Sequence, residues 1–124
     1  MVKVKKCLDT YALVEISEGN PKFAKYLNVD FVITDLTLAE FYGVLLRGKG
    51  ENTAEYWYKK LEIYSFPLDR QLLVEAIKFR YSNKKLGLSF FDAVGYVFAL
   101  KKGICFVTGD KAFEKLRGVE FIKK

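Results

Sequence analysis

The sequence predicts an α/β fold, with a mainly parallel sheet covered by helices on both faces. Short apolar runs that read as strands recur along the chain at 2–8, 30–34, 62–68, 104–108 and 119–122. Helical stretches separate them, and strands joined by helices of this length pair in parallel through crossovers. The chain has 124 residues, is 51% apolar and shows no repeat or linker, so one domain spanning 1–124 is expected.

Each element has a local reason. Residues 2–8 are β-branched at Val2 and Val4 and are bounded by Asp9 and Thr10. Leu13, Val14 and Ile16 suit a short helix over 11–18, stopped at Gly19-Asn20-Pro21. Pro21 then opens a second short helix through 27. "DFVIT" at 30–34 is a strand, and the helix after it ends at Gly48 and Gly50. Residues 51–60 form an amphipathic helix, followed by a strand over 62–68 that Pro67 brings to a close. Asp69 caps a helix running to about 81, with Leu72, Leu73, Ala76, Ile77 and Arg80 at helical spacing. A basic loop, "SNKKLGL", leads to a helix over 89–102 that Gly103 stops. The strand 104–108, a short helix over 111–116 and the strand 119–122 complete the chain.

Composition narrows the chemistry. The formal charge is +6, with lysine and arginine spread along the chain, which favours a polyanionic partner. There is no histidine. That removes Ser-His-Asp and Cys-His nucleophiles, imidazole acid-base catalysis and nearly every zinc site. The two cysteines, Cys7 and Cys105, each lie inside an expected strand and read as small core hydrophobes. "MVKVKK" does not begin a leader peptide, and no apolar run approaches the ~18 residues of a bilayer span, so a soluble cytoplasmic protein is expected.

Four acids lie in apolar surroundings: Asp9, Glu40, Asp92 and Asp110. Asp9 and Asp110 each end a strand, Glu40 is on the helix leaving the second strand, and Asp92 opens the helix feeding the fourth. In a parallel α/β sheet those positions share the carboxyl edge, where such sheets bind ligands. Each acid also has a capping explanation, through Thr37-x-x-Glu40, Ser89-x-x-Asp92, or the turns after Asp9 and Asp110. Glu40 fits that explanation worst, because Asp35 is the better cap for its helix and no basic residue is evidently placed beside Glu40. A buried carboxylate without a partner is costly, so compensation by an external cation is expected. Oxygen-only ligands without histidine or cysteine select Mg²⁺ or Mn²⁺. On a basic protein that combination points to phosphodiester hydrolysis.

"LDTYAL", "TDLTLAEFYGVL", "LSFFDAVGYVFAL" and "VTGDKAFEKLRGVEF" resemble, in order and spacing, the acidic motifs of PIN-domain ribonucleases, particularly the short VapC-type toxins. The resemblance covers essentially the whole chain. It implies a three-layer α/β/α fold whose five-stranded parallel sheet has the order 3-2-1-4-5. It also implies Mg²⁺- or Mn²⁺-dependent RNA cleavage, homodimerisation and a neutralising protein antitoxin. Asp9, Glu40, Asp92 and Asp110 match the family's metal-binding, catalytic acids, and Thr108 its hydroxyl residue before the last acid. Gly109 departs from the larger polar or basic residue of many relatives. Thr108, Lys84, Lys85 and Lys111 are the candidate substrate contacts.

A non-catalytic RNA-binding or scaffold module on the same fold is the alternative, and the presence of all four acids argues against it. A receiver-type phosphoacceptor is disfavoured because no acid ends the third strand. Tyr56, Trp57 and Tyr58 stand in a row and cannot all face one core from a single helix, which points to a partner surface.

Overall fold

Apolar residues on both faces of a strand demand cover on both faces, and the three inner strands of the sheet meet that condition. The computed structural model describes residues 5–124. Strands β1 (Lys6–Leu8), β2 (Phe31–Thr34), β3 (Ser65–Phe66), β4 (Cys105–Thr108) and β5 (Val119–Phe121) form one all-parallel sheet in the order β3-β2-β1-β4-β5. All four residues of β2 are buried. Helices α1 (Thr10–Ser17), α2 (Pro21–Ala24), α3 (Asp35–Lys49), α4 (Glu51–Leu61), α5 (Arg70–Ser82) and α6 (Phe90–Lys102) complete the three layers.

The two-residue period of the strands divides the core. Leu8, Ile33 and Val107 point to one side, where they pack with Leu13, Phe23 and Phe41 from α1, α2 and α3. Their neighbours Cys7, Val32 and Phe106 point to the other, against α5 and α6. There Phe106, Tyr96 and Phe113 form a ring cluster with centroids 5.0 to 5.7 Å apart. Phe23, Phe41, Phe106 and Phe113 are essentially fully buried, each worth about 1.5–3 kcal/mol of transfer free energy.

Several elements differ from the sequence expectation. The expected strand at 62–68 pairs only through Ser65 and Phe66, because Glu62–Tyr64 forms a 3-10 turn with Ile63 79% exposed. The expected helix at 111–116 is a single 3-10 turn, Lys111–Phe113. Gly48 lies inside α3, and Gly50 alone ends it, at φ +97°. The basic loop contains a 3-10 turn, Lys84–Leu86. Residues 2–4 of the first expected strand lie outside the described residues. Both cysteines are free, and burial pushes the Cys7 thiol well above its usual range, where it is inert. Among the described residues, no helix is long and apolar enough to cross a membrane.

Candidate active site

The strand order makes β1 and β4 neighbours although most of the chain separates them, so the switch point lies between their carboxyl ends. Leu8 pairs with Val107, and the Asp9 N–H donates to the Val107 carbonyl at 3.2 Å. Asp9 thereby stands at the sheet edge as N-cap of α1, one carboxylate oxygen accepting the Ala12 N–H at 2.8 Å. Only 5% of Asp9 is exposed. Burial pushes its carboxyl up to about 7, opposed by the Thr108 hydroxyl and the Ala12 N–H and reinforced by the charges of Asp92 and Asp110.

Of the other three acids, Asp92 and Asp110 act on Asp9 directly, and Glu40 is reached through Asp92. Asp110 accepts the Ala112 N–H at 3.0 Å, while its own N–H donates to the Thr108 hydroxyl oxygen at 3.0 Å. Asp92 is the third residue of α6 and completes a capping box, accepting the Ser89 N–H at 3.1 Å. Burial raises its carboxyl, the Ser89 hydrogen bonds lower it, and Asp110 raises it again. Glu40 is half-buried on α3 and accepts the Thr10 hydroxyl. Burial raises Glu40 too, with Thr10 lowering it, Asp92 raising it and Arg47 lowering it. Asp92 is thus the hub, sensed by Asp9 and by Glu40, and itself sensing Asp110.

Capping and site membership are therefore not alternatives here. Asp92, Asp110 and Glu40 each place one oxygen in a local hydrogen bond, from the Ser89 N–H, the Ala112 N–H and the Thr10 hydroxyl, while Asp9 accepts both the Ala12 N–H and the Thr108 hydroxyl. Oxygen-only donors that repel one another at a partly buried edge fit a hard divalent cation. Among the described residues, no three acids stand gathered as a finished cage, so it is the donor chemistry that fits.

Two sequence expectations require correction. Thr34, with extended backbone, caps α3 by accepting the Thr37 N–H at 3.0 Å, whereas Asp35 accepts the Ser65 hydroxyl. Glu40 has a basic neighbour on its own helix: Arg47 folds back so that a Cβ at Gly43 would stand 3.3 Å from its Nη1.

Of the expected substrate contacts, Thr108 is fully buried, its hydroxyl accepting the Asp110 N–H and acting on Asp9. Lys84 rests 4.1 Å from the Tyr81 ring centre, in a pocket that none of the four acids lines, and its neighbour Lys85 is exposed. Lys111 shares a pocket with Asp110. Sequence reasoning missed Thr10, although it directly follows Asp9 in "LDTYAL".

The PIN domain family model matches residues 6–119. The fold is similar to VapC20 of Mycobacterium tuberculosis, a toxin that cleaves the sarcin-ricin loop, at a TM-score of 0.81 and 18% identity over 93% of this chain and 97% of that one. It is similar to DNA-bound VapBC of Salmonella typhimurium, with a TM-score of 0.74 and 19% identity over 96% and 97% of the two chains. PAE2754 of Pyrobaculum aerophilum gives 0.69 at 24% identity, over 95% and 89%. No curated protein matches the sequence.

Proposed function

The chain belongs to the PIN domain family, and from that premise we propose that it is a Mg²⁺- or Mn²⁺-dependent endoribonuclease, the toxin of a toxin-antitoxin pair. The observation that carries the proposal is the set of four carboxylates at the β1–β4 switch point, in which Asp9, Asp92 and Asp110 repel one another and Glu40 is repelled by Asp92. A bound divalent ion would make water nucleophilic and offset charge on the phosphodiester. Asp9, Asp92 and Asp110 would hold it, with Glu40 holding it or orienting its water. Thr10 and Thr108 are positioning residues, fixing Glu40 and the Asp9–Asp110 pair. The RNA-cleaving activity of VapC20 supports RNA as the polymer.

Two surfaces support the proposed partners. A groove between α3 and α4, lined by Asp35, Leu38, Ala39, Tyr42, Glu55 and Tyr58, is acidic and aromatic on a basic protein. It suits a basic or aromatic antitoxin tail, and VapBC complexes are among the similar folds. The exposed apolar stripe of α5, containing Val74, Ile77 and Tyr81, suits a second copy of the chain.

The test uses Asp92→Asn, whose amide oxygen can still accept the Ser89 N–H. Wild type cleaves single-stranded RNA with Mn²⁺ and stops in excess EDTA. The variant loses roughly 10²–10³ in rate. It melts at or above wild type in EDTA, because repulsion is relieved, and it gains less from Mn²⁺. Cleavage that survives chelation, or a variant that melts lower yet gains the full Mn²⁺ increment, rejects the metal role.

A further inference from the structure

Gly109, between Thr108 and Asp110, has no side chain, and the structure gives the reason. A Cβ built there would fall 2.2 Å from Cε1 of Tyr11 and 2.9 Å from its Cζ. Such a separation is far inside van der Waals contact, so the Tyr11 ring occupies the space that a side chain at 109 would take. The ring is carried by the first turn of α1, two residues after Asp9, and lies 6.0 Å from Phe23 at a 45° tilt. It is only half-buried. It helps line an open pocket of about 450 Å³ with Gly109, Asp110, Lys111, Phe121 and Lys123. That volume is within the ~300–1,000 Å³ of small-ligand sites.

The lining is chemically divided. Tyr11 and Phe121 offer aromatic surface, Lys111 and Lys123 offer exposed ammonium groups, and Asp110 connects the pocket to the acid cluster. Lys124, also on its rim, is tied to Glu15 at 3.3 Å. An aromatic face next to unpaired cations takes an unstacked base and its phosphate, the mode by which single strands are bound. A duplex would keep its bases stacked and could not use the ring.

We infer that this pocket is a nucleotide subsite of the acid cluster, in which a base of single-stranded RNA stacks on Tyr11 and the adjoining phosphate meets Lys111 and Lys123. The exchange of a side chain at 109 for a ring from α1 makes the contact next to the fourth acid one of stacking. RNA as ligand rests on the proposed function, while the pocket's existence does not.

The test measures binding without cleavage, by fluorescence anisotropy of labelled oligoadenylate and oligouridylate in EDTA across a salt series. Tyr11→Leu, with its fold checked by melting, weakens binding on the order of tenfold, and Tyr11→Phe restores it. Lys111→Ala with Lys123→Ala lowers the salt slope by roughly 1.4, two single-strand phosphate contacts at about 0.7 each. Folded Tyr11→Leu that binds as tightly as wild type overturns the subsite. If that variant does not fold, an unchanged salt slope in the lysine pair overturns it. The two readings fail separately. RNA affinity that depends on Tyr11 in a protein that never cleaves with Mn²⁺ removes the nuclease and keeps the subsite. Cleavage with Mn²⁺ that Tyr11→Leu leaves intact, with normal affinity, does the reverse.

Discussion

Asp9 carries the largest conflict in the site, since its carboxylate serves as a helix cap while burial opposes its charge. Its value moves from 3.8 in the open chain to about 7 in the fold. An acid raised on folding takes up protons over that interval, so stability falls as pH rises from about 4 to about 7 and stays reduced above it. With each tenfold in proton affinity worth about 1.4 kcal/mol, the penalty at pH 8 is on the order of a few kcal/mol. Glu40 and Asp92 are raised as well and add in the same direction. Glu120, pushed up by burial but drawn lower overall by Lys6 and Tyr26, acts in the opposite direction, its contribution being lost as the pH falls. Melting curves in EDTA should therefore drop between pH 5 and pH 8. Asp9→Asn, which retains an acceptor for the Ala12 N–H, should show a smaller drop and a higher melting temperature at pH 8. Equal wild-type melting at the two pH values, or an undiminished drop in the variant, would show that Asp9 is not held against its charge. Metal ligands bind deprotonated, so the Mn²⁺-induced rise should grow over the same window.

At the scale of the element, two glycines of similar appearance in "RGKGEN" have opposite roles. Gly48 is helical, with nothing within 4 Å of an added Cβ, and Gly50 joins α3 to α4 at φ +97°, where an L side chain is strained. Gly48→Ala should stabilise the protein by roughly 0.5–1 kcal/mol, and Gly50→Ala should destabilise it by about 1 kcal/mol or more. Chemical denaturation decides; a loss at Gly48 or no loss at Gly50 contradicts the geometry. Sequence could not separate the pair, because glycine advertises freedom without saying whether it is used. The same limit explains the cap of α3: Thr34, Asp35 and Thr37 all cap well, and only the extended backbone at Thr34 selects among them. β3 is shorter than its apolar run because Glu62–Tyr64 coils into a 3-10 turn, so only Ser65 and Phe66 reach Ile33 and Thr34 of β2. The shared edge of the acids was legible, since crossover topology dictates where strand ends and helix starts fall, whereas the strand order came from the resemblance to PIN domains. Thr10 on Glu40, Arg47 folded over Gly43, and Tyr11 against Gly109 were not, because they depend on rotamers, two of them between segments remote in the chain.

On the scale of the whole molecule, the aromatic row of α4 proves a weaker dimer signal than the sequence suggests. Trp57 turns inward, 6.3 Å from Phe41, leaving Tyr56 and Tyr58 outside. Tyr58 lines the acidic α3–α4 groove. Helix α5 is different, because it is apolar on two faces. Leu72 and Ala76 pack inward, while Val74, Ile77 and Tyr81 are 50%, 51% and 71% exposed at spacings that align them along the outer side. An exposed stripe of this kind suits a protein contact, and a helix meeting its own copy across a two-fold axis would be self-complementary without requiring charge pairing. The groove, with Asp35 and Glu55, attracts a basic segment and is poorly suited to meet another copy of itself. The assignment of α5 to the dimer and of the groove to the antitoxin separates in one experiment. Light scattering of wild type alone should give 2 × 14.3 kDa. Ile77→Asp should give the mass of one chain with an unchanged melting profile in dilute solution, and Tyr58→Asp should remain dimeric. A wild type that stays monomeric at high concentration removes the homodimer, whereas a dimer broken by Tyr58→Asp but not by Ile77→Asp moves the contact to α4 and leaves the α5 stripe for another partner.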